Sequence, residues 1–255
     1  MLMSKSIMGT VASDDFSVGV ALGKYPGWRG FRKFGMNDVV VASTTQEMWP
    51  VGTAKVWPTT AAVASVVSSD AADTVNFGTG TWTMTIEGLD ANYDEISETI
   101  SMTGLTPVLT TAEFLRINRM YGVTAGSSEA NVGNITASVG GNAQAYIEAT
   151  EGQTHQTHYT VPNGHTLLVT SFTVRTGRMS GNVDLNVLSQ IRLKNGGNEH
   201  WRSISDIYLY NNAHQNWSDV SVIPAKTDIR QVISSNTATQ AVGVFGGYLV
   251  DNNHI

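Results

Sequence analysis

Two histidines three residues apart, His155 and His158, are the first residues in this chain whose types could hold a metal ion. We expect residues 155–161 to form a strand, and residues i and i+3 of a strand point to opposite faces, so the pair does not chelate one ion. The other four histidines are scattered, and the chain has no cysteine. The sequence therefore predicts no metal site and no cofactor. It also excludes disulfides, thiolate nucleophiles and cysteine-ligated zinc or iron–sulfur centres.

An acidic loop has the beginning of a calcium-binding motif. Asp90, Asn92 and Asp94 have the first three spacings of an EF-hand, but the glycine required at the sixth position is Glu95, and the twelfth position is Ser101. The EF-hand reading fails. Two explanations stay open: a looser calcium site in a β-loop, and side chains that only shape the turn through Asx hydrogen bonds.

Residues for hydrolytic chemistry are not arranged in a recognisable motif. Asp94, Glu95 and Glu98 lie close together in sequence, but glycoside hydrolysis needs two acids that face one cleft, and nothing in the sequence places a partner opposite them. The Gly-x-Ser-x-Gly motif of a nucleophile elbow is also missing. We therefore predict that the protein is not an enzyme.

The elements that carry these residues are predicted to be strands. Trp82, Met84 and Ile86 alternate with threonines, which is the period of a half-buried strand. The run from Ile96 to Met102 has the same spacing but is interrupted by Glu98, which places that strand near a sheet edge. The six residues between the runs are turn formers, so the two strands form an antiparallel hairpin.

The whole chain has the composition of an all-β protein. Only 14% of its 255 residues are charged and 41% are apolar, and short β-rich runs are separated by glycine and asparagine turns. We predict two tandem antiparallel β-sandwich or jelly-roll-like domains, at residues 59–142 and 143–255, preceded by an extended N-terminal arm at residues 1–58. The strands predicted for the second domain lie at 143–149, 155–161, 166–176, 183–194, 201–210, 218–223, 228–234 and 241–250.

The predicted arm contains a basic and aromatic segment, which glycines and a proline prevent from forming a regular period. Aromatic and arginine side chains are typical anchors of protein interfaces, so docking onto a neighbouring subunit is one interpretation. The other two are a surface loop whose aromatic rings pack back on the domain and a site for single-stranded nucleic acid, which the net charge of −6 disfavours. The candidate partner-binding residues are Tyr25, Trp28, Arg29, Phe31, Arg32, Lys33 and Phe34.

Four tryptophans suggest an alternative function. Trp49 and Trp57 each precede a proline, which favours extended backbone, and with Trp201 and Trp217 they could form an aromatic platform for a host glycan. Burial of these rings would remove that interpretation. The sequence has no run of 18 apolar residues, and the apolar run near its start is too short for a secretory signal, so we expect neither a membrane span nor a signal peptide.

Several runs also resemble a module of virion structural proteins of tailed bacteriophages, marine ones in particular. The resemblance covers residues 57–140 and is carried by Trp57–Ala61, Val66–Ser69, Thr85–Thr99, Phe114–Arg119 and Thr124–Ser127. It is looser in the second domain, at Tyr159–Gly164 and Gly243–Asp251.

This resemblance implies a non-enzymatic protein that is assembled in the host cytoplasm into the virion. The first expectation is a capsid decoration or other head-associated protein that docks on neighbouring subunits through its arm. The alternatives are a tail, neck or fibre-attachment component and a carbohydrate-binding module for host adsorption. The expected partners are other virion proteins (major capsid, portal or tail subunits) and further copies of the chain, with neither nucleic acid nor membrane among them.

Overall fold

The structure is a computed structural model that describes residues 15–176, 183–193, 200–210, 215–217 and 220–254. The prediction of an all-β protein is confirmed, because strands dominate these ranges and their pairings are antiparallel. One helix, α1 (Phe16–Ala21), precedes the strands, and a 3-10 helix, Asn252–His254, follows them. The strands are β1 (Trp28–Val40), β2 (Thr45–Glu47), β3 (Ala62–Ser68), β4 (Thr81–Leu89), β5 (Glu95–Ser101), β6 (Val108–Phe114), β7 (Arg116–Ala125), β8 (Ile135–Val139), β9 (Asn142–Ile147), β10 (Tyr159–Thr160), β11 (His165–Thr176), β12 (Asp184–Leu193), β13 (Arg202–Tyr210), β14 (Gln215–Trp217), β15 (Ser221–Ile223), β16 (Thr227–Ser235) and β17 (Thr239–Asp251).

Two five-stranded sheets make up what we call the outer unit. Sheet A has the order β1-β17-β11-β14, with β15 also paired to β11, and sheet B has the order β10-β16-β12-β13, with β2 also paired to β16. Alternate side chains of these strands form one hydrophobic core that includes Met48, Phe172 and Phe245. Where the outer unit meets the rest of the chain, buried ion pairs and hydrogen bonds are found instead of purely apolar contacts.

Strands β3–β9 make up a second unit, which we call the inserted unit. Its sheets have the orders β6-β3-β8-β9 and β5-β4-β7, and they enclose a separate core that includes Met84, Ile86, Phe114 and Met120. The predicted hairpin is confirmed as β4 and β5, whose register runs from Thr83↔Ser101 to Leu89↔Glu95. The edge position expected from Glu98 is confirmed too, because β5 is an outer strand of its sheet.

The chain enters the outer unit before it builds the inserted one, so the prediction of a separate arm over residues 1–58 is wrong for β1 and β2. β1 pairs with β17 from Trp28↔Val250 to Val40↔Thr239, and β2 pairs with β16. The alternation in β1 was not recognisable because its buried positions include a lysine, a glycine and an asparagine. Gly35 is required there, since a Cβ atom would lie 2.5 Å from the main-chain nitrogen of Thr157.

The predicted boundary between residues 142 and 143 is also wrong. It falls at the start of β9, which pairs with β8 inside the inserted unit. Gly140 and Gly141 connect the two strands with φ angles of 58° and 79°, a conformation that glycine adopts without strain and that tight hairpin turns need. What resembled the end of a domain is therefore a hairpin turn.

Most strands predicted for the second part of the chain are present within one to three residues of their expected ends. The exception is 155–161, where only Tyr159–Thr160 forms a strand. Residues 155–158 instead pass between the two units, with Thr157 N bonded to the carbonyl of Met48 at 3.1 Å. Polar groups of this segment are used at the junction described next.

Candidate functional site

The junction is the region where the inserted unit meets the outer unit, together with the two connecting segments 48–61 and 148–158. Six ionisable side chains are buried there, an unusual concentration for residue types that are rarely inside proteins. They come from both units and both connections, and are Lys33, Glu47, Lys55, Arg116, His158 and Asp228. The junction is thus held by charge pairing as well as by apolar packing.

Glu47, the last residue of β2, organises one half of the junction. Its carboxylate is 2.8 Å from Nε2 of His158 and 2.6 Å from Arg230, and it accepts the main-chain N–H of Lys55 at 2.8 Å. Burial alone would raise its pKa, but these donors lower the pKa to about 2. Burial also lowers the pKa of His158 to about 4, so at neutral pH the uncharged imidazole donates its Nε2–H to Glu47.

Asp228 on β16 organises the other half. Arg116 of the inserted unit approaches it in a bidentate geometry, with Nε–Oδ1 at 2.9 Å and Nη2–Oδ2 at 3.1 Å. Arg192 and the hydroxyl of Thr160 add contacts at 2.6 Å each. Burial would raise the pKa of Asp228, but Arg116 and these partners hold it below its ordinary value. The buried carboxylate is therefore ionised and fully coordinated, the condition under which a buried ion pair is tolerated.

Aromatic rings and guanidinium groups close the junction on its outside. The rings of Trp57 and Trp201 are 5.6 Å apart, and the Arg192 guanidinium lies 5.3 Å from the first and 4.7 Å from the second. Arg230 covers Trp201 at 4.0 Å, and Arg116 lies 5.3 Å from Trp57. Cation–π contacts of this kind add to an ion-pair network that is partly shielded from water.

This arrangement does not match the aromatic platform that glycan binding would need. Trp49 is only 1% exposed and donates its indole N–H to the carbonyl of Thr53. Trp57 and Trp201 are half-buried, inclined at 55° to each other, and covered by guanidinium groups. The side chain of Trp217 lies outside the described residues. Trp49, Trp57 and Trp201 therefore do not offer the open, coplanar ring faces on which a sugar would stack.

A cleft of about 540 Å³ opens beside the junction, between β1 of the outer unit and β4, β5 and β7 of the inserted unit. Four consecutive residues of the predicted arm segment, from Gly30 to Lys33, line it together with Arg29. The opposite wall includes Glu87, Glu95 and Arg119. The cleft therefore brings together basic groups that are far apart in the sequence.

Lys33 lies at the inner end of this cleft. Its ammonium group donates to the carbonyl of Asn118 on β7. Burial, and after it the positive charges of Lys55 and Arg119, lower its pKa to about 7. Because burial is the largest cause, the low pKa of Lys33 mainly reflects removal of its ammonium group from water.

The other candidate partner-binding residues separate into three groups. Tyr25 and Trp28 pack with Phe16 of α1, at ring-centroid distances of 4.8 and 5.1 Å. Phe31 instead packs inward on Tyr159 and Phe245, while Phe34 is half-buried beside His155. Arg29 pairs with Glu95 across the cleft, and Arg32 is exposed. Their role in partner binding stays a prediction.

The residues that suggested a metal site make hydrogen bonds and ion pairs within the protein. Oδ1 of Asp90 accepts the main-chain N–H groups of Asn92 and Asp94 at 2.8 and 2.9 Å, which is an Asx-turn arrangement. His155 approaches Glu151 at 3.5 Å, whereas His158 points to Glu47, so the two histidines are used on different sides. Among the described residues, no group of three or more histidine or acidic side chains could hold a metal ion.

One important carboxylate gave no sequence signal. Asp73 is fully buried in the inserted unit and accepts four hydrogen bonds, from the hydroxyl of Ser68 and the main-chain N–H groups of Thr81, Val132 and Gly133, at 2.5 to 2.9 Å. It connects the loop between β3 and β4 to the loop between β7 and β8. Its neighbours in sequence have turn composition, and turn residues of that type are normally exposed.

No protein-family model matches the chain, and no curated protein matches it significantly. No helix in the described part of the chain is long and apolar enough to cross a membrane.

Proposed function

We propose that this chain is a non-enzymatic structural subunit of a tailed-bacteriophage virion, and that it decorates the head. In this proposal the paired sheets of each unit form β-sandwiches. The junction locks the two units into one rigid block, and neighbouring proteins of the particle cover parts of its surface. A tail or neck position is the alternative within the same class, and the resemblance over residues 57–140 supports both.

The observation that carries an assembly role is the position of exposed apolar side chains. Val39, near the end of β1, and Val222, on β15, are both 66% exposed. These strands lie on opposite sides of sheet A, with β17 and β11 between them. Leu105 and Leu109 form a further exposed pair at the edge strand β6 of the inserted unit.

Exposed valines at two opposite edges of one sheet fit a subunit that contacts neighbours in more than one direction. Contacts between different faces of identical subunits generate rings or lattices. The low share of charged residues fits the same role, because protein-covered surfaces are depleted in lysine and glutamate. Disulfides cannot contribute, since the chain has no cysteine, and contact with neighbours would add stability to the subunit.

Two measurements test the proposal. Protein mass spectrometry of purified particles should find the chain in stoichiometric amounts, and its absence from the particles would exclude a virion role. The amount of the chain that sediments together with those particles should fall when Val39 and Val222 are both replaced by threonine. Threonine keeps the shape and the strand propensity of valine but adds a hydroxyl group. Val123→Thr is the control, because that valine is also exposed but lies on β7 of the inserted unit.

A further inference from the structure

We propose that the cleft beside the junction binds an extended acidic peptide segment of a partner protein, which pairs as an additional strand with the free edge of β1. The inference concerns the chemistry of this cleft and stands independently of the virion assignment. It depends on three features of the described residues: unpaired main-chain groups, an excess of positive charge, and a cleft of matching length.

The first feature is the direction of the main-chain groups of β1. Among the described strands, β1 pairs only with β17, and in an antiparallel pair successive residues alternate between pointing toward and away from the partner. Gly27 points toward β17, since its carbonyl accepts from Asp251, whereas the N–H of Met36 points away, to the carbonyl of His155. By this alternation, the N–H and C=O groups of Gly30 and Arg32 point away from β17.

No hydrogen bond within the described ranges uses the main-chain groups of Gly30 or Arg32 on that side. Both residues are exposed and both line the cleft. A row of unpaired N–H and C=O groups is the template on which an extended peptide adds as a strand. Gly30 also leaves room, because a Cβ atom at this position would meet nothing within 4 Å.

The second feature is charge. The cleft is lined by four basic side chains, Arg29, Arg32, Lys33 and Arg119, and by two acidic ones, Glu87 and Glu95, in a chain whose net charge is −6. Glu95 is committed to Arg29, and Glu87 accepts from the hydroxyl of Tyr121 at 3.2 Å.

The remaining three cations have no carboxylate partner among the described residues. Arg119 donates to the side-chain carbonyl of Gln153 at 3.2 Å, and Lys33 donates to a main-chain carbonyl. Arg32 makes neither a hydrogen bond nor an ion pair with any residue of the described ranges. Burial is the main cause of the lowered pKa of Lys33, the like charges of Lys55 and Arg119 lower it further, and Glu87 raises it. Carboxylates of a bound peptide would supply the missing negative charge.

The third feature is length. The cleft follows β1 over the five residues from Arg29 to Lys33. At a rise of about 3.3 Å per residue this is roughly 16 Å of strand. An extended segment of about five residues fits this edge, with alternate side chains directed to Arg32 and Arg119 or to solvent.

The experiment uses the full-length chain and a fluorescein-labelled peptide of alternating threonine and glutamate, six residues long. Fluorescence anisotropy should detect binding that weakens with salt, whereas the same peptide with glutamine in place of glutamate should bind at least tenfold more weakly. Arg32→Gln and Arg119→Gln should each weaken binding by roughly three- to fivefold, the scale of one partly exposed ion pair. Arg202→Gln is the control, an exposed arginine on β13 outside the cleft.

Hydrogen exchange followed by NMR then separates strand addition from simple charge attraction. The amides of Gly30 and Arg32 should exchange rapidly in the free protein and slowly in saturating peptide, while those of Phe31 and Lys33, which face β17, should be protected in both states. No binding at millimolar peptide, equal binding of the glutamine peptide, or unchanged exchange at Gly30 and Arg32 would each overturn the proposal.

Discussion

Arg116 of β7 and Asp228 of β16 form a bidentate ion pair that joins the two units, and their side chains are 1% and 0% exposed. The pair is not isolated. Arg116 also donates to the carbonyls of Pro58 and Leu115, and Asp228 also accepts from Arg192 and Thr160. Each partner would be left as a buried charge with incomplete coordination if the other were removed.

Replacing Arg116 by methionine should therefore be strongly destabilising. Removal of one partner of a buried pair costs about 3–5 kcal/mol, because the remaining charge stays buried. The measurement is the free energy of unfolding from urea denaturation. Arg29→Gln is the control, since the Arg29–Glu95 pair also joins the two units but is about half exposed, and such pairs contribute at most about 1 kcal/mol. Equal losses in the two variants would contradict the role assigned to Arg116.

The contacts of the junction could not be predicted from the sequence. Arg116 and Asp228 are 112 residues apart, and neither lies in a motif that indicates its partner. Strand positions were predictable because alternation is local, as in Trp82, Met84 and Ile86. The assignment of strands to units was not predictable, because β1 pairs with β17 from the other end of the chain. In addition, the buried face of β1 includes Lys33 and Gly35, which are not typical core residues.

Acid should weaken the protein through His158. Its pKa is about 4 in the folded state against an ordinary value of about 6.5, so between these values the unfolded chain binds the additional proton. The stability contributed by the neutral imidazole is complete above pH 6.5 and is lost as the pH falls toward 4. Glu47, with a pKa lowered to about 2, adds a further loss between about 4.5 and 2.

His158→Gln tests this origin of the acid sensitivity, because the amide keeps a donor toward Glu47 but does not titrate. Thermal unfolding should show a flatter dependence on pH between 6.5 and 4 than in the parent protein. His254→Gln serves for comparison, since that histidine is exposed at the end of the chain. A variant of His158 that retains the full acid sensitivity would show that other groups cause it.

Glu98 is expected to hold the two sheets of the inserted unit together at one edge. Its carboxylate on β5 accepts the main-chain N–H groups of Thr111 and Ala112 on β6, at 2.7 to 3.0 Å, and both strands are outer strands of their sheets. Glu98→Ala should cost about 1–3 kcal/mol in the free energy of unfolding and leave the edge of β6 open to other chains.

Light scattering at high protein concentration should accordingly show aggregation of Glu98→Ala. Glu98→Gln should lie between it and the parent, since the amide oxygen accepts but carries no charge. Glu113→Ala on β6 is the matched control, because its acidic side chain is exposed and makes no hydrogen bond within the described part of the chain. Aggregation of both alanine variants to the same extent would argue against edge protection by Glu98.

Truncation at the N terminus should have two sharply different outcomes. Removal of residues 1–24 deletes α1, whose Phe16 packs on Trp28 and Tyr248 but remains 38% exposed, so we expect a folded protein whose melting temperature is a few degrees lower.

Removal of residues 1–58 also deletes β1 and β2, and takes one strand from each sheet of the outer unit. β17 would lose one of its two partner strands and would keep only β11, and buried residues such as Val40 and Met48 would leave the core. Cooperative unfolding in calorimetry should persist in the shorter deletion and disappear for the outer unit in the longer one. A cooperatively folded protein without residues 1–58 would show that β1 and β2 are dispensable additions to the sheets, and would restore the interpretation of this segment as an arm.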